Sequence, residues 1–96
     1  MMMKNYIEEG AKKAGSLTAL GRILGISQPD MSNAKAMKKP IPAKAVVQLA
    51  EYIKADLKLV IAANELVTEK DEEKRQFWSH LLAVDPNNSY IRHMMN

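Results

Sequence analysis

The sequence predicts an all-α fold, a bundle of four to five helices with a C-terminal helical extension, and three observations carry that expectation. Apolar residues recur at the i, i+3, i+4 and i+7 spacing of a single helix face through most of the chain. Start and stop signals punctuate these stretches at short intervals, with serine, threonine or proline ahead of a run and glycine or proline behind it. The chain has 96 residues and is 47% hydrophobic. One small domain of this size buries roughly 60 to 68% of its unfolded surface. Leu, Ile, Val and Ala supply most of the apolar side chains, and helices pack them most economically.

Met3, Ile7, Ala11 and Ala14 give the first helix its apolar face, with Glu8 and Glu9 early and Lys12 and Lys13 late, as the helix dipole favours. Gly15 stops it. Ser16 is placed to cap a second helix whose Leu17, Leu20, Gly21 and Leu24 share one face, and Gly25 ends that helix as a C′ residue. Two turns are too few for a freestanding helix, so this one must pack closely on its neighbours.

Ile26 turns inward, and Ser27-Gln28-Pro29-Asp30 has the form of a capping box, in which Ser27 caps the amide of Asp30 and Asp30 reaches back. Pro29 in the first turn of this third helix costs no intrahelical hydrogen bond. Met31 and Ala34 point inward, whereas Gln28, Ser32, Asn33 and Lys35 form the outer face, followed by Lys38 and Lys39.

Pro40-Ile41-Pro42 ends the third helix and places Pro42 at N1 of a fourth, whose apolar stripe is Val46, Leu49, Ala50, Ile53 and Leu57. From Asp56, the positions Leu59, Val60, Ala63, Leu66 and Val67 continue as a fifth helix. Thr68-Glu69-Lys70-Asp71 resembles a second capping box. The charged stretch Glu69 to Arg75 is either a linker or, the favoured reading, the solvated start of a sixth helix with Phe77, Trp78, Leu81 and Leu82 on one side. Asp85-Pro86-Asn87-Asn88-Ser89 is turn chemistry, leaving Tyr90 to Asn96 as a tail, mobile or docked. The expected organisation is a domain over residues 1–57, an extension over 58–84 and a tail over 85–96.

Charge is unevenly spread. Residues 1–58 hold ten Lys or Arg against five Asp or Glu, and residues 59–96 hold four against six. Between Arg22 and Lys44 five basic residues face one acid, Asp30, an excess suited to phosphates and equally suited to a solvated face. The absence of cysteine excludes disulfides, thiolate catalysis and Cys-based metal sites. His80 and His93 lie in no metal-ligand spacing, Ser16 and Ser27 read as caps, and no glycine-rich phosphate loop occurs, so no enzyme, cofactor or metal is expected. The N-terminal segment has no signal-like apolar run and no stretch reaches the ~18 apolar residues of a membrane span, so a cytoplasmic location is expected.

A short helix, a glycine-containing turn and a capped second helix with a polar outer face form a helix-turn-helix pattern. From Leu17 to Ala36, LTALGRILGISQPDMSNAKA resembles the helix-turn-helix of the Cro/repressor family, and Lys38 to Gln48, a basic stretch, a proline and an Ala-Val-rich helix, is similar to the YdaS-like antitoxin or repressor group of phage-related proteins. The likeness spans about residues 5–57. Gly21 allows close helix crossing, Gly25 a positive φ, and Ile26 and Met31 fasten the turn and third helix to the core. Gly21 departs from the family's usual alanine, and Pro29 offers no polar group at a position that often contacts a base.

This resemblance implies a lambda-repressor-like bundle and a sequence-specific transcription regulator, a phage or prophage repressor binding the major groove of double-stranded DNA as a homodimer on a two-half-site operator. It places the base-reading positions on Gln28, Ser32 and Asn33, and contacts to the DNA backbone on Ser27, Arg22, Lys35, Lys38 and Lys39. Gln and Asn amides can pair with adenine N6 and N7. Asp30 is read as part of the cap, with acceptance from cytosine N4 as the alternative. Residues past Leu57 are the expected dimer element. The alternative reading is an antitoxin or anti-repressor-like module whose C-terminal helices bind a partner protein through Phe77 and Trp78, residues that read equally as core.

Overall fold

Six α-helices account for most of residues 1–83, the part of the chain that the structure, a computed structural model, describes. In order they are α1 (Met3–Ala14), α2 (Leu17–Leu24), α3 (Gln28–Lys35), α4 (Ala43–Ile53), α5 (Leu57–Leu66) and α6 (Glu72–Ala83), and no strand occurs among the described residues. Val84 and the tail expected over 85–96 lie outside them. No helix among the described residues is long and apolar enough to cross a membrane.

α1 runs through the middle and packs on α2, α3, α4 and α5, whereas α6 packs chiefly on α5. The large, fully buried side chains are Met3, Ile7, Leu20, Met31, Leu49 and Val60, so each of the first five helices contributes at least one. Burial of such a side chain stabilises the fold by about 1.5–3 kcal/mol. Val60 and Ala63 belong to the same core as Met3 and Leu49, which corrects the expected division at 57/58. α5 completes the bundle, and only α6, which has no buried residue, remains an extension.

The face of α1 is also turned from the one expected. Met3 and Ile7 are buried, but their companions are Tyr6 and Gly10, while Ala11 and Ala14 stay half-buried. Gly10 is a point of close approach, since a Cβ there would stand 2.9 Å from methyl carbons of both Leu20 and Leu49. Lys13 Nζ ties the end of α1 to α4, donating to the carbonyl of Tyr52 and lying 4.6 Å from its ring centroid.

Caps follow the local signals with four corrections. Ser16 Oγ accepts from Ala19 N–H at 3.0 Å and Ser27 Oγ from Asp30 N–H at 3.4 Å, but Asp30 does not return a bond to Ser27, so only half of that box forms. Pro42 occupies the N-cap of α4 rather than N1. Leu57 opens α5 instead of extending the stripe of α4 and is 40% exposed. At α6 the cap is Asp71, whose Oδ1 accepts from Lys74 N–H at 3.1 Å, and Thr68 is not involved.

Three helices end alike. Gly25, Met37 and Lys54 each adopt a left-handed conformation, and the following N–H closes on a carbonyl of the last turn: Ile26 to Gly21 at 2.8 Å, Lys38 to Asn33 at 2.9 Å, Ala55 to Ala50 at 2.9 Å. α3 therefore stops at Lys35, before the prolines expected to break it, and Lys38 and Lys39 lie in the connection to α4. That connection is held by α5. Buried Asn64 of α5 accepts from Ile41 N–H at 2.9 Å through Oδ1 and donates to Ile41 O at 3.0 Å through Nδ2.

Candidate nucleic-acid interface

α2 and α3 are joined by the three residues Gly25, Ile26 and Ser27, and the geometry of the join depends on two glycines. Gly25 has φ 68°, which glycine adopts at little steric cost. Gly21 faces the turn directly. A Cβ at this position would stand 2.9 Å from the carbonyl oxygen of Ile26 and 3.0 Å from Met31 Cγ. The carbonyl belongs to the backbone of the turn, which the Ile26 N–H bond to Gly21 O already holds.

Gly21→Ala is accordingly expected to lower stability, although alanine is the better helix former. Propensity returns ~1 kcal/mol, while overpacking against backbone costs about 1–3 kcal/mol. A denaturant melt checks the sign, and a raised midpoint would show that the turn yields freely.

Met31 and Ala34 pin the inner face of α3 to the core with no exposed surface. The opposite face carries Gln28, Ser32 and Lys35 in solvent and Asn33 half-buried. Gln28 is oriented by a contact that the sequence reading missed: Thr18 Oγ1, in the first turn of α2, donates to Gln28 Oε1 at 3.0 Å. The oxygen keeps a second lone pair, and the amide nitrogen keeps both hydrogens. Thr18 carries no signal of its own in the sequence, because only the crossing of α2 and α3 brings it to Gln28. Ser27 Oγ has spent an acceptor site on its cap but retains a hydrogen to donate.

The basic residues form two groups rather than one rim. Lys35, Lys38 and Lys39 are exposed at and beyond the end of α3, where Lys39 shares a cleft of ≈ 360 Å³ with Asp30 and the two prolines Pro40 and Pro42. Arg22, also exposed, lies at the far end of α2 and lines a separate cleft of ≈ 290 Å³ with Lys44 and Gln48 of α4. Gln48 Oε1 is buried and has no hydrogen-bond partner. Lys44 joins Arg22 there; its place in the basic stretch was the only sign of it in the sequence.

The described stretch beyond Val67, residues 68–83, differs in character. Arg75 Nη1 donates to Leu66 O at 3.3 Å and Glu69 O at 2.7 Å, clasping the end of α5 to α6. Phe77 and Trp78 stack with ring centroids 4.9 Å apart and planes 11° from parallel, and Phe77 remains 51% exposed. Of the apolar residues past Leu57, where the dimer element is expected, Val60 is fully buried and Leu59, Leu66, Val67 and Trp78 are half-buried within one chain. α5 thus spends Val60 and Ala63 on the core of its own chain.

Compared with known proteins, the chain matches no family model, no curated protein and no solved structure.

Proposed function

We propose that the protein is a sequence-specific DNA-binding transcription regulator, a phage or prophage repressor of the lambda-repressor-like type, with α2 and α3 as its helix-turn-helix and α3 as the helix entering the major groove. One observation carries this reading. α3 is fixed to the core through Met31 and Ala34 and turns a face of short hydrogen-bonding side chains, Gln28, Ser32 and Asn33, toward solvent, with Lys35, Lys38 and Lys39 beside it. Amide side chains on a rigid helix suit base edges, and lysines at its end suit phosphates. Half-burial of Asn33 limits its reach and steadies its rotamer.

A single recognition helix offers few contacts for specific binding, so two copies occupy half-sites ~34 Å apart on one operator. With the apolar side of α5 consumed by the core, this pairing does not draw on Val60 or Ala63.

Selection from random-sequence DNA followed by footprinting tests the reading. Gln28→Ala and Asn33→Ala should each lose ~1–3 kcal/mol of base discrimination with little change in nonspecific affinity. Lys35→Ala, Lys38→Ala and Lys39→Ala should weaken binding to every sequence, each reducing the salt slope by ~0.9. Selection yielding no preferred sequence would overturn the proposal.

A further inference from the structure

The junction of α5 and α6 carries a second surface with a different chemistry. A cleft of ≈ 500 Å³ opens there, lined by Glu65, Glu69, Glu73, Lys74, Phe77 and Trp78. The stacked aromatic pair shares its lining with three carboxylates and one ammonium. Glu73 has a local role beside the N-terminus of α6, where the helix dipole favours a negative charge, and one oxygen of Glu69 accepts from Asp71 N–H at 3.2 Å. Glu65 has no such role. Among the described residues none of these three carboxylates forms an ion pair or a bond to a side chain, and Arg75, the nearest guanidinium in sequence, is spent on backbone carbonyls.

We propose that this cleft is a docking site for a basic, amphipathic segment of a partner protein, with an apolar side chain seated on Phe77 and Trp78 and Arg or Lys side chains on Glu65, Glu69 and Glu73. Charge selects this occupant over a second copy of the chain. A two-fold pairing through the cleft would set carboxylates against carboxylates, since a symmetric interface brings the same patch to itself. A head-to-tail pairing with the chain's own basic half would need a ring or a filament of copies rather than a simple two-fold dimer. A basic partner meets neither obstacle, and a guanidinium gains further from the aromatic faces. This surface makes no use of α3 and stands whether or not the protein binds DNA.

Trp78 is the only tryptophan in the chain, so its emission reports directly on the cleft. The full chain is titrated with a synthetic twelve-residue Arg/Leu amphipathic peptide and, separately, with the same peptide carrying Glu for Arg. The expected result is a saturating change in Trp78 emission with the basic peptide alone. Replacing Glu65, Glu69 and Glu73 together by Gln should weaken it roughly tenfold, and added salt should weaken it further. Phe77→Ala should weaken it as well, with circular dichroism verifying that α6 stays helical in each variant. The proposal is overturned if both peptides act alike, if neither acts, if the Gln variant binds unchanged while folded, or if emission shifts with protein concentration alone, which would assign the cleft to self-association.

Discussion

Ending the chain at Leu57 is expected to abolish folding, because α5 completes the core that the first four helices leave open. Val60 is fully buried in the same cluster as Met3, Ile7 and Leu49, and Ala62 and Ala63 are covered as well. Removing Val60 alone forfeits about 1.5–3 kcal/mol of burial. Removing Asn64 with it takes both of its bonds from the backbone of Ile41, and the exposed side of α1 and α4 adds to the loss. A domain of this size holds only about 5–15 kcal/mol of net stability, so the deficit takes most or all of it. Circular dichroism should show largely unfolded chain. Ending at Thr68 is the control, since it removes α6, which buries no residue, and should leave a cooperative melt. A stably helical fragment 1–57 would contradict the shared core.

Asn64→Ala carries the largest effect expected of a single substitution. Asn64 is 6% exposed, and its amide pairs with both the N–H and the carbonyl of Ile41, itself buried. Truncation strands a donor and an acceptor of the backbone, at about 1–3 kcal/mol for each group left unsatisfied and so roughly 2–6 kcal/mol in all. Thermal melting should fall by more than about 10 °C. The damage has a direction, because Ile41 anchors the connection that contains Lys38 and Lys39. On the proposed reading of α3, affinity for DNA should drop in the variant even at temperatures where it remains folded. Unchanged stability would mean that water replaces both bonds through the adjoining cleft, which Asn64 and Ile41 line.

The sequence by itself determined the helices that depend on neighbours a few residues away. Ser16 and Ser27 at helix starts, Gly15 and Gly25 at helix ends, and the 3.6-residue period of Leu17, Leu20 and Leu24 are local facts, because capping bonds and side-chain alignment span only one turn. The outward face of α3 was legible for the same reason: Met31 and Ala34 lie on one side, which places Gln28 and Ser32 on the other. Tertiary structure alone decided what depends on approach between helices. Gly10 is buried because α2 and α4 close over it, Thr18 acquires Gln28 as a partner only across the α2–α3 crossing, and Asn64 reads as an ordinary polar residue until Ile41 arrives from 23 positions away. The same cause moved α5 from extension to core. An apolar face looks identical in sequence whether its own chain or another covers it, and only the space left open by α1 and α4 shows that Val60 fills it.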